Sequence, residues 1–242
     1  HWTIASRTLR TWGESESGLN ERLDGIIHDL DAEGNPTLAF LASGWEGLKV
    51  RLTGRAPDEG AAAALLAPWE KKIREVLGDQ VFGVDNDTME SVVLDLLRAR
   101  GWTLALAESV TGGLVSGRLT GVAGASEVFR GTVVSYASEV KFDVLGVEEG
   151  PVVTEEAAIA MAEGARKVLG ADVGLALTGV AGPSEQDGMR PGTLFAAVAL
   201  PDGELDRVTS VHVRLPGDRE MMRQLSVISA LDLLRKRLLD IR

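Results

Sequence analysis

The stretch from Thr103 to Leu119 constrains this chain more than any other. An apolar run, Thr103 to Ala107, passes through Glu108-Ser109-Val110-Thr111-Gly112-Gly113 into Leu114 to Leu119, whose apolar spacing suits a helix. Such an arrangement predicts a short buried strand, a tight turn and a helix. Two adjacent glycines let the backbone come close to a ligand, and the free N–H groups of a helix's first turn collect at the same place. The expectation is a turn that can hold an anion. Ser109 stands at its mouth, as a nucleophilic serine does on a strand-to-helix turn, although the G-x-S-x-G signature is absent. The same residues admit a purely structural alternative, in which Ser109 or Thr111 caps the helix.

Size and composition narrow the remaining choices. The 242 residues are enough for one large domain or two modest ones, at ~100–200 residues per domain. With 36 acidic against 25 basic residues the net charge is −11, which disfavours attraction to a phosphate backbone, so nucleic acid is not an expected partner. The absence of cysteine excludes disulfides, thiolate metal sites and a cysteine nucleophile. The histidines, His1, His28 and His212, are dispersed and no acid-rich cage accompanies them, so no metal is expected. No apolar stretch approaches the ~18 residues of a membrane span, and no basic-then-apolar leader opens the sequence; a soluble cytoplasmic protein with no membrane partner is expected. A start at His1 rather than methionine points to a fragment of something longer.

Taken in order, Thr3 to Thr11 mixes threonine and isoleucine with arginine, as an edge strand does, and Leu19 to Leu30 places its leucines and isoleucines at helical spacing. Leu38 to Leu41 and Leu48 to Leu52 read as two strands joined through Ser43-Gly44-Trp45. Asp58 caps a long helix that runs to about Leu77 and stops at Gly78, and Val81 to Val84 is a further strand. Residues 1–85 therefore make a small α+β domain. The polar turn Asp85-Asn86-Asp87-Thr88 opens a second domain, 86–242, in which strands alternate with helices. Its strands are Thr103 to Ala107, Gly131 to Tyr136, Gly174 to Leu177, Thr193 to Leu200 and Arg207 to Leu215. The helices include Glu139 to Leu145, Thr154 to Leu169 with Thr154 as cap, and a terminal one from Asp218 to Arg237. This pattern predicts an α/β, three-layer-like sandwich with a mixed central sheet, antiparallel in its last strands.

A serine hydroxyl needs a base, and His212, mid-strand between Val211 and Val213, reads as a surface or packing residue. The alternative base is a lysine. Tyr136, the one tyrosine, ends its strand, and Lys141 follows five positions on. If that strand neighbours the one before Ser109, both can face the serine, and a desolvated lysine can act as base, directly or through the phenol oxygen. The bland alternatives are a solvated strand-end tyrosine and a helix-face charge. Thr178-Gly179-Val180-Ala181-Gly182-Pro183 forms another glycine turn at a strand end, suited to a sugar or phosphate or simply a loop of small residues. Arg219 and Arg223 sit at a helix start, where they either hold a phosphate or pair with carboxylates such as Glu220.

Four segments in order carry a resemblance: Ala107 to Gly113, Val134-Ser135-Tyr136-Ala137-Ser138-Glu139-Val140-Lys141, Leu177 to Pro183, and Gly217-Asp218-Arg219. Together they resemble the C-terminal domain of the CinA family, the nicotinamide mononucleotide deamidase also called PncC. Residues 1–85 resemble that family's small KH-like middle domain, without an evident Gly-x-x-Gly loop. Family members also carry an N-terminal domain similar to molybdopterin-binding folds, which this sequence lacks. The resemblance implies hydrolysis of nicotinamide mononucleotide to nicotinic acid mononucleotide and ammonia through a serine acyl-enzyme, with neither metal nor cofactor. It makes Ser109 the nucleophile and Tyr136 and Lys141 its activating partners. It places Thr111, Gly112, Gly113, Thr178, Gly179 and Arg219 on the nucleotide, and it implies a homodimer. A different class of function, a regulatory module that binds pyridine nucleotides without turnover, stands beside it. Departures from the family pattern are Val110, a shortened connection between Gly146 and Thr154, and a Ser184 to Arg190 loop without the usual glycine run.

Overall fold

The computed structural model describes residues 2–42 and 44–241; His1, Ser43 and Arg242 lie outside the described residues, and with Ser43 goes part of the expected Ser43-Gly44-Trp45 connection. The chain forms two compact units that divide between Met89 and Glu90. In the first, β1 (Thr3–Thr11), α1 (Glu16–Glu33), β2 (Thr37–Ala42), β3 (Leu48–Ala56), α2 (Glu59–Leu77) and β4 (Val81–Val84) build an antiparallel sheet in the order β2-β3-β1-β4. Both helices start on side-chain caps, with Ser15 accepting from the Gly18 N–H and Asp58 from the Ala61 N–H. Leu9, Leu23, Val50, Trp69 and Ile73 meet in the core between helices and sheet.

The expectation of an edge strand at Thr3 to Thr11 is corrected. β1 lies inside the sheet, paired along its whole length with β3 and near its C-terminal end with β4. Its exposed positions are Ile4 and Ser6, while Arg10 and Thr11 are buried, so its polar residues do not mark an unpaired edge. Alternation reports which face is wet; it does not report how many neighbours a strand has.

In the second unit, α3 (Met89–Arg100) precedes β5 (Leu104–Glu108), α4 (Leu114–Thr120), β6 (Phe129–Val134), α5 (Ser138–Leu145) and α6 (Glu155–Leu169). There follow β7 (Val173–Gly179), β8 (Thr193–Ala199), β9 (Val208–Arg214) and α7 (Arg219–Leu238). The sheet order is β6-β5-β7-β8-β9, parallel among β6, β5 and β7 and antiparallel from β7 through β9. Helix α6 covers one face and α7 with α4 the other, giving three layers around a mixed sheet. Small residues line the α6 side: Ala105, Ala107, Ala176, Ala197 and Ala199 are buried there, and a Cβ at Gly174 would lie 2.0 Å from the Ala162 carbonyl oxygen. The opposite face carries larger side chains such as Leu106, Leu175 and Val198, fully buried and each worth ~1.5–3 kcal/mol of apolar transfer.

β5 ends on a charged residue with no exposed surface, Glu108. Its Oε1 accepts hydrogen bonds from the Thr111 hydroxyl and the Val115 N–H, both at 2.8 Å. Its Oε2 accepts from the Ser116 N–H at 3.1 Å and the Thr132 hydroxyl at 3.2 Å. The carboxylate thus fills the positive N-terminal end of α4 and ties it to the ends of β5 and β6. This corrects the expected anion-holding turn: the first-turn N–H groups are already occupied, by an anion the chain supplies itself. It also removes the capping alternative, because the N-cap is Gly113, at φ 100, and not Ser109 or Thr111.

Glu108→Ala strips acceptors from four buried or half-buried donors, each worth about 1–3 kcal/mol when left unpaired. Urea unfolding of the variant should show a loss of about 3 kcal/mol or more. Glu108→Gln, which sets an NH2 against one pair of donors, should fall between. Parent-like stability of the alanine variant would contradict this role.

Candidate active site

The topology gathers one edge of the second unit's sheet. β5, β6 and β7 are parallel, so their C-terminal ends, followed by Ser109, Ser135-Tyr136 and Val180, lie together. Helix α6 returns antiparallel to β7 and starts at that edge behind Val152 and Val153. β8 begins there, β9 ends there, and α7 begins there with Arg219. Crevices beyond the carboxyl ends of such strands are where open α/β sheets bind ligands. A cavity of about 340 Å³ opens there, lined among others by Ser109, Tyr136, Thr178, Gly179 and Arg219.

Ser109 is the first residue after β5. Its N–H donates to the Leu177 carbonyl at 3.1 Å, and its own carbonyl accepts from the Gly112 N–H at 3.0 Å, closing a turn that Gly112 (φ 58) and Gly113 (φ 100) complete in left-handed conformations. From α7, Arg223 donates through Nε to the Val110 carbonyl at 3.1 Å and through a terminal nitrogen to the Thr111 carbonyl at 2.9 Å. Because a trans peptide sets N–H opposite C=O, fixing the Val110 carbonyl on Arg223 turns the Thr111 N–H away from that arginine. The N–H groups of Val110 and Thr111 find no acceptor among the described residues. Of the two residues, Val110 lines the cavity and Thr111 is fully buried.

Tyr136 lies two residues beyond β6 rather than at its end, and it is 63 % exposed. Its phenol oxygen accepts from Arg219 at 3.1 Å, while another Arg219 nitrogen donates to the Gly182 carbonyl at 2.7 Å. Lys141, on the first turn of α5, is 1 % exposed and donates from Nζ to the Ser135 carbonyl at 2.6 Å. Burial pushes its amine below the usual lysine value, against the opposing pull of Asp187 and Glu139. The buried Ser135 hydroxyl beside it has no partner among the described residues.

The remaining expected residues fall in different places. Thr178 and Gly179 line the cavity, though the Thr178 hydroxyl is spent on the Val152 carbonyl at 2.7 Å. Thr111 is buried with its hydroxyl on Glu108, and neither it nor Gly112 or Gly113 lines the cavity: they shape the turn under Ser109. Lys141 is not among the cavity-lining residues. Arg223 grips carbonyls and forms no ion pair with Glu220. His212 is exposed on β9 and stacks on Phe195 at 4.2 Å between ring centroids, a packing role.

Residues the sequence reading passed over are Glu108, Arg223 as a turn clamp, and Asp187. The Asp187 carboxylate accepts from the Val152 and Val153 N–H groups at 2.8 and 3.0 Å. The signal for it was there in Asp187-Gly188, the dipeptide favoured in two-residue hairpin turns.

Comparison with known proteins agrees with this architecture. Residues 86–238 match the CinA C-terminal domain, and residues 6–83 match the damage-inducible protein CinA KH domain. A CinA-like protein of Frankia casuarinae is 50% identical over 240 residues, covering 97% of this chain and 54% of that protein. One from Gloeobacter violaceus is 42% identical over 241 residues, covering 97% and 55%. The chain thus spans about half the length of the curated relatives it matches. Among solved structures, a competence-damaged protein (CinA) superfamily protein from Klebsiella pneumoniae superposes with a TM-score of 0.59 at 30% identity, covering 63% of this chain and 96% of its own. The competence/damage inducible protein CihA from Agrobacterium tumefaciens gives 0.56 at 31%, covering 60% and 91%. With both units matched in order and relatives this similar along nearly its whole length, the chain belongs to the CinA family.

Proposed function

We propose that the second unit hydrolyses the carboxamide of nicotinamide mononucleotide to nicotinic acid mononucleotide and ammonia through an acyl-enzyme on Ser109. The observation that carries this reading is the cavity that Ser109, Tyr136 and Arg219 share, with the desolvated Lys141 amine bonded to the carbonyl of Ser135, the residue before Tyr136. Family membership is consistent with it.

In this mechanism the Ser109 oxygen attacks the amide carbon as its proton passes to the neutral Lys141 amine, directly or by way of the Tyr136 phenol. The N–H of Val110, a residue that lines the cavity next to Ser109, faces the developing oxyanion, where one donor is commonly worth ~3–4 kcal/mol. The proton returns to the leaving nitrogen, ammonia departs, and water releases the carboxylate from the serine ester by the same route. Arg219, already oriented by Tyr136 and Gly182, meets the substrate phosphate, an anion the α4 end cannot take because Glu108 occupies it. A cavity of this size lies within the range of small-molecule sites.

Purified protein should release ammonia from nicotinamide mononucleotide, and Ser109→Ala should lower that rate by at least about 10³-fold. Nucleotide binding measured by calorimetry with no ammonia formed would favour the non-catalytic module instead. Since only the neutral amine accepts a proton, kcat/KM should rise with pH along a limb centred below ~10.4, the ordinary lysine value. Lys141→Arg, which stays charged, should lose both that limb and the activity. Arg219→Ala should raise KM about tenfold with a smaller change in kcat, the pattern of a lost charge-assisted phosphate contact.

A further inference from the structure

The loop between β7 and β8 is a built element. Gln186 and Met189 exchange backbone hydrogen bonds at 3.1 and 2.8 Å around Asp187 and Gly188, both at positive φ (52 and 74), which is a two-residue hairpin. Ser184, Glu185 and Gln186 on its first arm form one wall of the cavity. The tip, Asp187 and Gly188, is exposed but tethered. Asp187 turns its carboxylate back to the N–H groups of Val152 and Val153, and Val153 lines the cavity from the other side. The Val152 carbonyl in turn receives the Thr178 hydroxyl at the end of β7, and Thr154 caps α6 two residues on. One carboxylate therefore joins the hairpin, the approach to α6 and the end of β7.

We propose that Asp187 is a positioning residue, a latch whose carboxylate holds the 184–190 hairpin against the Val152-Val153 backbone and so sets the cavity wall that contacts the substrate. The kinetic part of this inference rests on the amidase reading above; the structural part does not. Two charge-assisted hydrogen bonds from neighbouring N–H groups to one oxygen are a strong local restraint. Besides them, the hairpin is held by Met189, which pairs with Gln186 and packs against the core, while Ser184, Glu185 and Gln186 themselves are exposed. The same carboxylate is the foremost charge favouring the protonated form of Lys141, ahead of Glu139.

The test compares the full chain with Asp187→Ala, Asp187→Asn and Asp187→Glu. In hydrogen-exchange mass spectrometry, the alanine variant should exchange about 10- to 100-fold faster in peptides covering 150–154 and 184–190, the scale of a lost hydrogen bond to a charged group. Peptides from β5 and α6 should be unchanged. In the ammonia assay, KM should rise about tenfold in the alanine variant while kcat falls less. The asparagine variant, which keeps one acceptor oxygen, should recover part of both effects. Unchanged exchange in those two peptides, or a kcat loss with KM unaltered, would overturn the latch. If the parent releases no ammonia from nicotinamide mononucleotide, the amidase reading fails separately and the exchange comparison still decides whether Asp187 holds the hairpin.

Discussion

The arrangement of the site depends on one buried carboxylate. Glu108 accepts four hydrogen bonds where β5 ends, from two backbone N–H groups of α4 and two threonine hydroxyls. A carboxylate without solvent contact is tolerated only when its oxygens are fully bonded, so the position of α4, the conformation of the Thr111 to Gly113 turn and the end of β6 are fixed together. Ser109 is covalently next to this knot. Its direction is therefore inherited from Glu108 on one side and from the Leu177 carbonyl on the other.

A second consequence is a division of labour among charges. The positive end of α4 is satisfied from within, so it has nothing left for an external anion. Arg223 is committed to the Val110 and Thr111 carbonyls and orients the turn's peptide groups. Among the cavity-lining residues the cation is Arg219, held toward the opening by Tyr136 and the Gly182 carbonyl. In the proposed reaction, substrate phosphate and oxyanion would thus face different parts of the same edge, which would give the ligand a defined orientation.

The sheet explains why residues so far apart in sequence meet. Three adjacent parallel strands end at one edge, and every antiparallel return brings another connection back to it: the start of α6, the 184–190 hairpin, the start of α7. The small residues beneath α6, with Gly174 against the Ala162 carbonyl, let that helix lie close enough for Val152 and Val153 to reach both Thr178 and Asp187. Lys141, on α5, is 1 % exposed, and its amine is desolvated by that burial.

Local sequence determined the elements. Apolar periodicity marked the strands and helices of both units, and Asp58, Thr154 and Asp218 announced helix starts, because capping and burial patterns act over a few residues. It also singled out Ser109, Tyr136, Thr178, Gly179 and Arg219, which the structure sets around one cavity. Tertiary structure alone decided the rest. β1 proved interior because strand neighbours are chosen across long sequence separations. The occupancy of the α4 end by Glu108, the use of Thr111 as its donor and the grip of Arg223 on the turn are hydrogen bonds whose partners depend on which surfaces meet. Asp187 reaching Val152 from 35 positions away belongs to the same class, since a side chain's type states what it can bond and only the fold states what lies within 3 Å of it.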